Sequence, residues 1–151
     1  MNEDGKDSAR EAVGVAHRNL KAAEKAVAQA IVDARHVKVT WREIAEELGI
    51  AQPNATRKYK PFVDAGTPRN LWPNEVAPQL LARAAVRMAY EAHQRAEMAE
   101  LQAVAGARTA RVAWGDIAAG VEMLESNAIV KFRPLLVEER TVSVRADALK
   151  R

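Results

Sequence analysis

Slid along itself by 73 residues without a gap, the chain matches itself, and a repeat of that kind limits the fold more than any other feature. Val39-Thr40-Trp41-Arg42-Glu43-Ile44-Ala45 falls on Val112-Ala113-Trp114-Gly115-Asp116-Ile117-Ala118. Asn54-Ala55-Thr56-Arg57-Lys58-Tyr59-Lys60-Pro61-Phe62 falls on Asn127-Ala128-Ile129-Val130-Lys131-Phe132-Arg133-Pro134-Leu135. Two of the three Trp coincide, and the segment ahead of each block is Ala-rich. The unit reads as a long helix followed by a compact helical module, present twice, with each lobe about half the chain.

The dominant period is helical. Aromatics are only 5% of the residues, Ala is abundant, and β-branched runs with strict alternation are nearly absent, so an all-α fold is expected. Ser8 and Glu11 stand at capping-box spacing, which predicts a first helix from about Ala9 behind a disordered N-terminus over 1–8. Its apolar seam is Val13, Ala16, Leu20, Ala23, Val27, Ala30 and Ala34, narrow enough for close pairing with another helix.

Asp64, Gly66, Pro68, Asn70, Pro73 and Asn74 break the pattern and place a linker over 64–77, with Leu71 and Trp72 expected to pack on something. A second long helix follows from about Pro78 to Ala107. Its expected seam is Leu81, Ala85, Met88, Ala92, Ala96 and Ala99, with Arg83, Arg87, Glu91, Arg95 and Glu97 in water. The lobes then span 9–63 and 78–137, and a last segment, 138–151, contains one strand-like alternation at Thr141-Val142-Ser143-Val144.

Several chemistries are disfavoured at once. The absence of Cys removes thiolate zinc sites and cysteine nucleophiles, and His17, His36 and His93 lie far apart with no metal-motif spacing. No metal and no cofactor are expected. The carboxylate pairs Glu46–Glu47 and Glu138–Glu139 read as solvated surface, and no Gly-rich phosphate loop is present, so no enzyme is expected. No apolar run reaches the ~20 residues of a membrane crossing, and the charged start lacks a secretory stretch, so a cytoplasmic protein is expected. The formal charge of +3 permits a polyanionic partner without demanding one.

Within the first module, Thr40 and Glu43 form a second capping box and start a short helix at Trp41 that carries Ile44, Ala45 and Leu48 inward. Gly49 supplies a left-handed turn and Ile50 returns to the core. Pro53 suits the first turn of the next helix, which should run to about Lys60 with Ala55, Tyr59 and Phe62 on its buried side.

This layout resembles the helix-turn-helix DNA-binding domains of bacterial and phage regulators. It is similar above all to the type common in actinobacteria, through Thr40-Trp41-Arg-Glu-Ile44-Ala45-Glu-Glu-Leu48-Gly49-Ile50 followed by Lys58-Tyr59. The resemblance covers about 41–60 well and, through the repeat, about 114–133 poorly. It implies a double-stranded DNA partner, with the helix from Pro53 entering a major groove. Gln52, Asn54, Thr56 and Arg57 would then read bases, Gln and Asn suiting adenine and Arg suiting guanine. Lys38, Arg42, Lys58 and Lys60 would hold phosphates.

The second copy departs on its outward face. Glu122 replaces the turn Gly49, which predicts a rearranged turn, and Ala113 replaces the capping Thr40. Ile129 and Val130 replace Thr56 and Arg57, with Met123, Leu124, Leu135, Leu136 and Val137 nearby. Three roles stay open: a second DNA face using Ser126, Asn127, Ile129, Val130, Lys131 and Arg133; a contact surface for another copy or another protein, which is preferred; or packing against the first lobe or the last segment. The Ala-rich helices are a further candidate for homodimer contacts.

The expected function is a sequence-specific DNA-binding transcription regulator, most simply a repressor that occludes a promoter. The rival is an adaptor that uses the same scaffold to bind a protein, such as a polymerase subunit or a host factor, without reading DNA.

Overall fold

The computed structural model describes residues 3–136, and every regular element among them is helical. In chain order these are α1 (Glu3–His36), α2 (Trp41–Leu48), α3 (Gln52–Ala65), α4 (Pro78–Thr109) and α5 (Trp114–Gly120), then α6 over 125–136. The alternation at Thr141–Val144 and the rest of the last segment, with Val137, lie outside the described residues.

The chain condenses into two compact units that are not its two halves. One is built on Leu20–Ala96, and the other joins the residues up to Asn19 with those from Glu97 onward. Each unit therefore takes one end of α1, one end of α4 and one short-helix module. In the Leu20–Ala96 unit, Val27 and Ile31 of α1 and Ala82 and Val86 of α4 share a core with Ile44, Leu48, Ala55 and Tyr59. In the other unit Val13, Val104 and Ala107 share a core with Ile117, Ala118, Ala128 and Phe132.

α1 opens at Glu3 rather than at Ala9, so residues 3–8 are helical and Ser8 lies inside the helix instead of capping it. Local charge explains the extension. Glu3 and Asp4 occupy the positive end of the helix dipole, Lys6 pairs with Glu3 at 3.5 Å, and Arg10 bridges Asp7 and Asp116. Ala9 packs against the core below.

The expected seam residues of α1 are buried, with Ala23 half-buried, but His17, Ile31, Val32 and Asp33 are buried beside them, and the seam of α4 is displaced. Ala82, Val86, His93, Glu100, Val104 and Ala107 are buried, whereas Leu81 and Met88 are 41% and 66% exposed. Ala99 is exposed as well. Two buried polar side chains cause the displacement: His93 and Glu100 occupy seam positions that an apolar count excludes.

Past Lys60, α3 continues to Ala65 although Pro61 lies inside it and removes one backbone donor. Val63 packs against the core and favours the extra turn. Phe62 was expected inward but is 54% exposed, with its ring centroid 6.5 Å from that of Tyr59. Gly66 ends the helix through N–H donation to Phe62 O at 2.7 Å, and a Cβ there would stand 2.6 Å from that oxygen and 2.9 Å from Val32 Cγ2. Only glycine fits so close an approach.

The connector to α4 is pinned. The buried Asp33 carboxylate accepts from the Arg69 backbone N–H at 2.8 Å, from its Nε at 3.0 Å and from its Nη2 at 2.8 Å. Gln29 donates to Thr67 O at 3.1 Å and Gln79 to Val37 O at 3.0 Å. Trp72 packs against the core, while Leu71 stays 47% exposed.

Candidate nucleic-acid interface

α2 is fixed at both ends by local chemistry. The Thr40 side chain accepts from the Glu43 N–H at 3.2 Å, and the Thr40 N–H donates back to Glu43 Oε1 at 3.0 Å. Gly49 takes φ 67°, and Ile50 N–H donates to Ala45 O at 3.1 Å, which turns the chain towards α3. Upstream, Lys38 holds φ 69° in the turn that leaves α1. Arg35 fastens that turn: its guanidinium lies 5.4 Å from the Trp41 ring centroid and donates to Val39 O at 2.8 Å.

Ala55 and Tyr59 are buried and set the rotation of α3. At 100° per residue that leaves Asn54, Arg57, Lys58 and Lys60 exposed, with Thr56 half-buried at the flank; Gln52 falls on the face of Ala55 and Tyr59 but is exposed at the first position of the helix. The hydrogen bonds of the expected reading residues stay within the helix. Thr56 Oγ1 donates to Gln52 O at 3.0 Å, and Arg57 Nη2 donates to Asn54 Oδ1 at 3.0 Å. Neither bond covers the face, and the second holds the guanidinium beside Asn54.

The expected phosphate residues fall into two groups. Lys38 is exposed on the turn and Lys58 Nζ lies 5.4 Å from the Tyr59 ring centroid. Arg42 and Lys60 are exposed but partly engaged, Arg42 with Glu46 at 3.6 Å and Lys60 with Asp64 at 3.0 Å. Such exposed pairs are weak and open readily to a polyanion.

Arg83 was expected in water and instead organises the acidic side of α2. It binds Glu43 at 3.0 Å, Glu46 at 3.1 Å and Glu47 at 3.1 Å, and Arg87 adds a contact to Glu47 at 3.4 Å. Glu46 and Glu47 are thus ion-paired rather than merely solvated. Desolvation alone would lower the Arg83 pKa, but the bonds and charges of Glu47, Glu43 and Glu46 outweigh it and hold the guanidinium above its ordinary value. The Glu43 carboxyl is held below its ordinary range, first by the Thr40 backbone N–H and hydroxyl and then by Arg83. Without these cations α2 would repel a phosphate backbone. The signal was present in the sequence as carboxylates at i, i+3 and i+4 and arginines at i and i+4, but their pairing joins residues about forty positions apart, as in Arg83–Glu43.

Seventy-three residues on, the same local geometry recurs. Arg108 lies 4.9 Å from the Trp114 centroid and donates to Val112 O at 2.9 Å. Arg111 holds φ 62°, and Lys131 lies 5.0 Å from the Phe132 centroid. Ala113 caps α5 without a side-chain bond. The turn is not rearranged: Glu122 takes φ 53°, and Met123 N–H donates to Ala118 O at 3.0 Å. Its carboxylate reaches His17 Nε2 at 3.3 Å, a contact that offsets part of the left-handed cost of ~1–2 kcal/mol.

On the outward side of α6, Ser126, Asn127, Val130, Lys131 and Arg133 are exposed and Ile129 is half-buried. Leu124 and Val130 are 70% and 75% exposed, whereas Met123 and Leu136 pack inward. Among the described residues no helix is long and apolar enough to cross a membrane, and no group of His, Asp or Glu is arranged to hold a metal ion. No family model, no curated protein and no solved structure matches the chain.

Proposed function

We propose that this chain is a sequence-specific DNA-binding transcription regulator of the helix-turn-helix kind, acting as a repressor from the cytoplasm and performing no catalysis. α3 is the reading helix. The observation that carries the proposal is the exposure of Asn54 and Arg57 on the side of α3 turned away from the buried Ala55 and Tyr59, with Gln52 exposed at the first position of the helix. Arg57, steadied by Asn54, is matched to guanine O6 and N7, and Gln52 is matched to adenine. Lys38, Arg42, Lys58 and Lys60 supply phosphate contacts around that face.

We also infer that the two modules descend from one duplicated unit. Support comes from the paired left-handed residues Lys38 and Arg111, the paired Arg–Trp stacks, and Pro61 and Pro134 at the same place in α3 and α6.

Enrichment of binding sequences from a random duplex library tests the function. A defined sequence should emerge, and Arg57→Ala should weaken binding to it by about 1–3 kcal/mol while random duplex is held almost as before. A chain that shows no salt-dependent retention on duplex DNA, and is indifferent to Arg57→Ala, is an adaptor for a protein instead.

A further inference from the structure

Three of the four cations assigned to phosphates in the first module have a cationic counterpart in the second. Lys38 is matched by Arg111, Lys58 by Lys131 and Lys60 by Arg133; only Arg42 is lost, to Gly115. The settings match as well as the charges. Lys38 and Arg111 both stand exposed in a left-handed turn after a long helix, at φ 69° and 62°. Lys58 and Lys131 both lie over the buried ring that follows them, at 5.4 and 5.0 Å.

The reading positions behave differently. Gln52 becomes Glu125, Thr56 becomes Ile129 and Arg57 becomes Val130, so the bidentate partners for guanine and for adenine at positions 57 and 52 are gone, an acidic side chain that phosphates repel stands in the first turn, and Asn127 keeps the type of Asn54. Exposed surface positions tolerate most residues, so although Lys131 has a local partner in the buried Glu100, a surface kept only to carry the core, or to present Leu124 and Val130 to another protein, has no reason to hold positive charge at Arg111 and Arg133 as well. A phosphate backbone supplies that reason, because it asks for charge at fixed positions and carries no sequence information.

We propose that the α5–α6 module is a second duplex-DNA contact, sequence-blind, holding phosphates through Arg111, Lys131 and Arg133. This rests on the reading of α3 as a DNA-recognition helix. It assigns base discrimination to the first module alone and adds salt-dependent affinity from the second.

The test is made on the full chain, with a random-sequence duplex and with the sequence enriched from the library. Each phosphate contact contributes roughly 0.9 to the slope of log affinity against log salt. In Arg111→Gln/Lys131→Gln/Arg133→Gln that slope should fall by roughly two to three, equally on both duplexes, with the ratio of specific to random affinity unchanged. Lys131 also neutralises the buried Glu100 at 3.7 Å, so Arg111→Gln/Arg133→Gln is measured beside it and should show roughly two-thirds of the effect. An unchanged slope in both variants, with wild-type binding intact, overturns the second contact and leaves the first module's role standing. A dimer mass abolished by Val130→Asp, together with that unchanged slope, overturns it in favour of a contact between copies. Salt-dependent but sequence-blind wild-type binding that the variants remove would instead overturn the role given to α3. A wild-type chain that binds neither duplex overturns both.

Discussion

The Nδ1 atom of His17 lies 2.8 Å from Oε2 of Glu100, joining two buried side chains 83 positions apart in sequence. Nε2 of the same ring faces Glu122 at 3.3 Å, and Lys131 approaches the other Glu100 oxygen at 3.7 Å. One polar cluster thereby ties α1, α4, the turn before α6 and α6 itself within one compact unit. His17 and Glu100, its two buried members, are costly to bury singly, and the exposed Glu122 and Lys131 complete their partners.

Removing one partner of that buried pair should therefore cost far more than removing both. His17→Leu and Glu100→Leu are each expected to destabilise by about 3–5 kcal/mol, and the double variant by much less than their sum, because it replaces a pair by apolar groups. Urea unfolding of the four proteins, followed by far-ultraviolet circular dichroism, measures the coupling. Additive losses would show that the two side chains act independently.

Asp33 gives the Leu20–Ala96 unit a sensitivity to acid. Burial pushes its carboxyl up, but the Arg69 backbone N–H, the Arg69 guanidinium and Gln29 together outweigh burial and hold it below its ordinary value. A carboxyl whose pKa is lower folded than unfolded adds stability that is fully present above the unfolded value, about 4, and is lost as pH falls through the folded value. The urea midpoint of wild type should drop below about pH 4 more steeply than that of Asp33→Asn. Arg69→Ala should cost about 1.5–3 kcal/mol at neutral pH, the backbone N–H of residue 69 still being available to Asp33.

Two glycines should respond oppositely to alanine. At Gly66 the new Cβ meets Phe62 O at 2.6 Å and Val32 Cγ2 at 2.9 Å, so Gly66→Ala should destabilise by about 1–3 kcal/mol. At Gly106, inside α4, nothing lies within 4 Å, and Gly106→Ala should raise stability by up to about 1 kcal/mol. Thermal unfolding of both variants decides the point, and a shared sign would refute the packing argument.

Under the function proposed for α3, Arg83 is expected to serve DNA binding without touching DNA. Arg83→Gln leaves Glu43, Glu46 and Glu47 without their shared cation, at a stability cost of about 1 kcal/mol. Affinity for enriched and random duplexes should fall by the same factor, since a repulsive field acts on every phosphate alike. A change in sequence preference would place Arg83 in the reading face itself.

Much of the first module is legible in the sequence because it is made by neighbours. The Thr40–Glu43 box, the left-handed Gly49 and the inward Ala55 and Tyr59 each depend on residues within four positions of one another, and the structure has them as read. The start of α1 departs from its capping spacing for the same reason in reverse. Ser8 and Glu11 have capping spacing, but Glu3, Asp4 and the Arg10 contacts carry the helix through them.

The chain's own order of residues settled where helices form, how α2 is capped and turned, and which side of α3 is left to solvent, because those outcomes follow from hydrogen bonds and dihedral preferences of adjacent residues. Only the tertiary structure decided that the seam of α4 passes through His93 and Glu100, that Arg83 gathers three glutamates, that Glu122 can hold a left-handed turn, and that one compact unit joins the two ends of the sequence while the other is built from its middle. A polar or charged side chain can be buried only where a distant partner satisfies it, and no local pattern carries the identity of that partner.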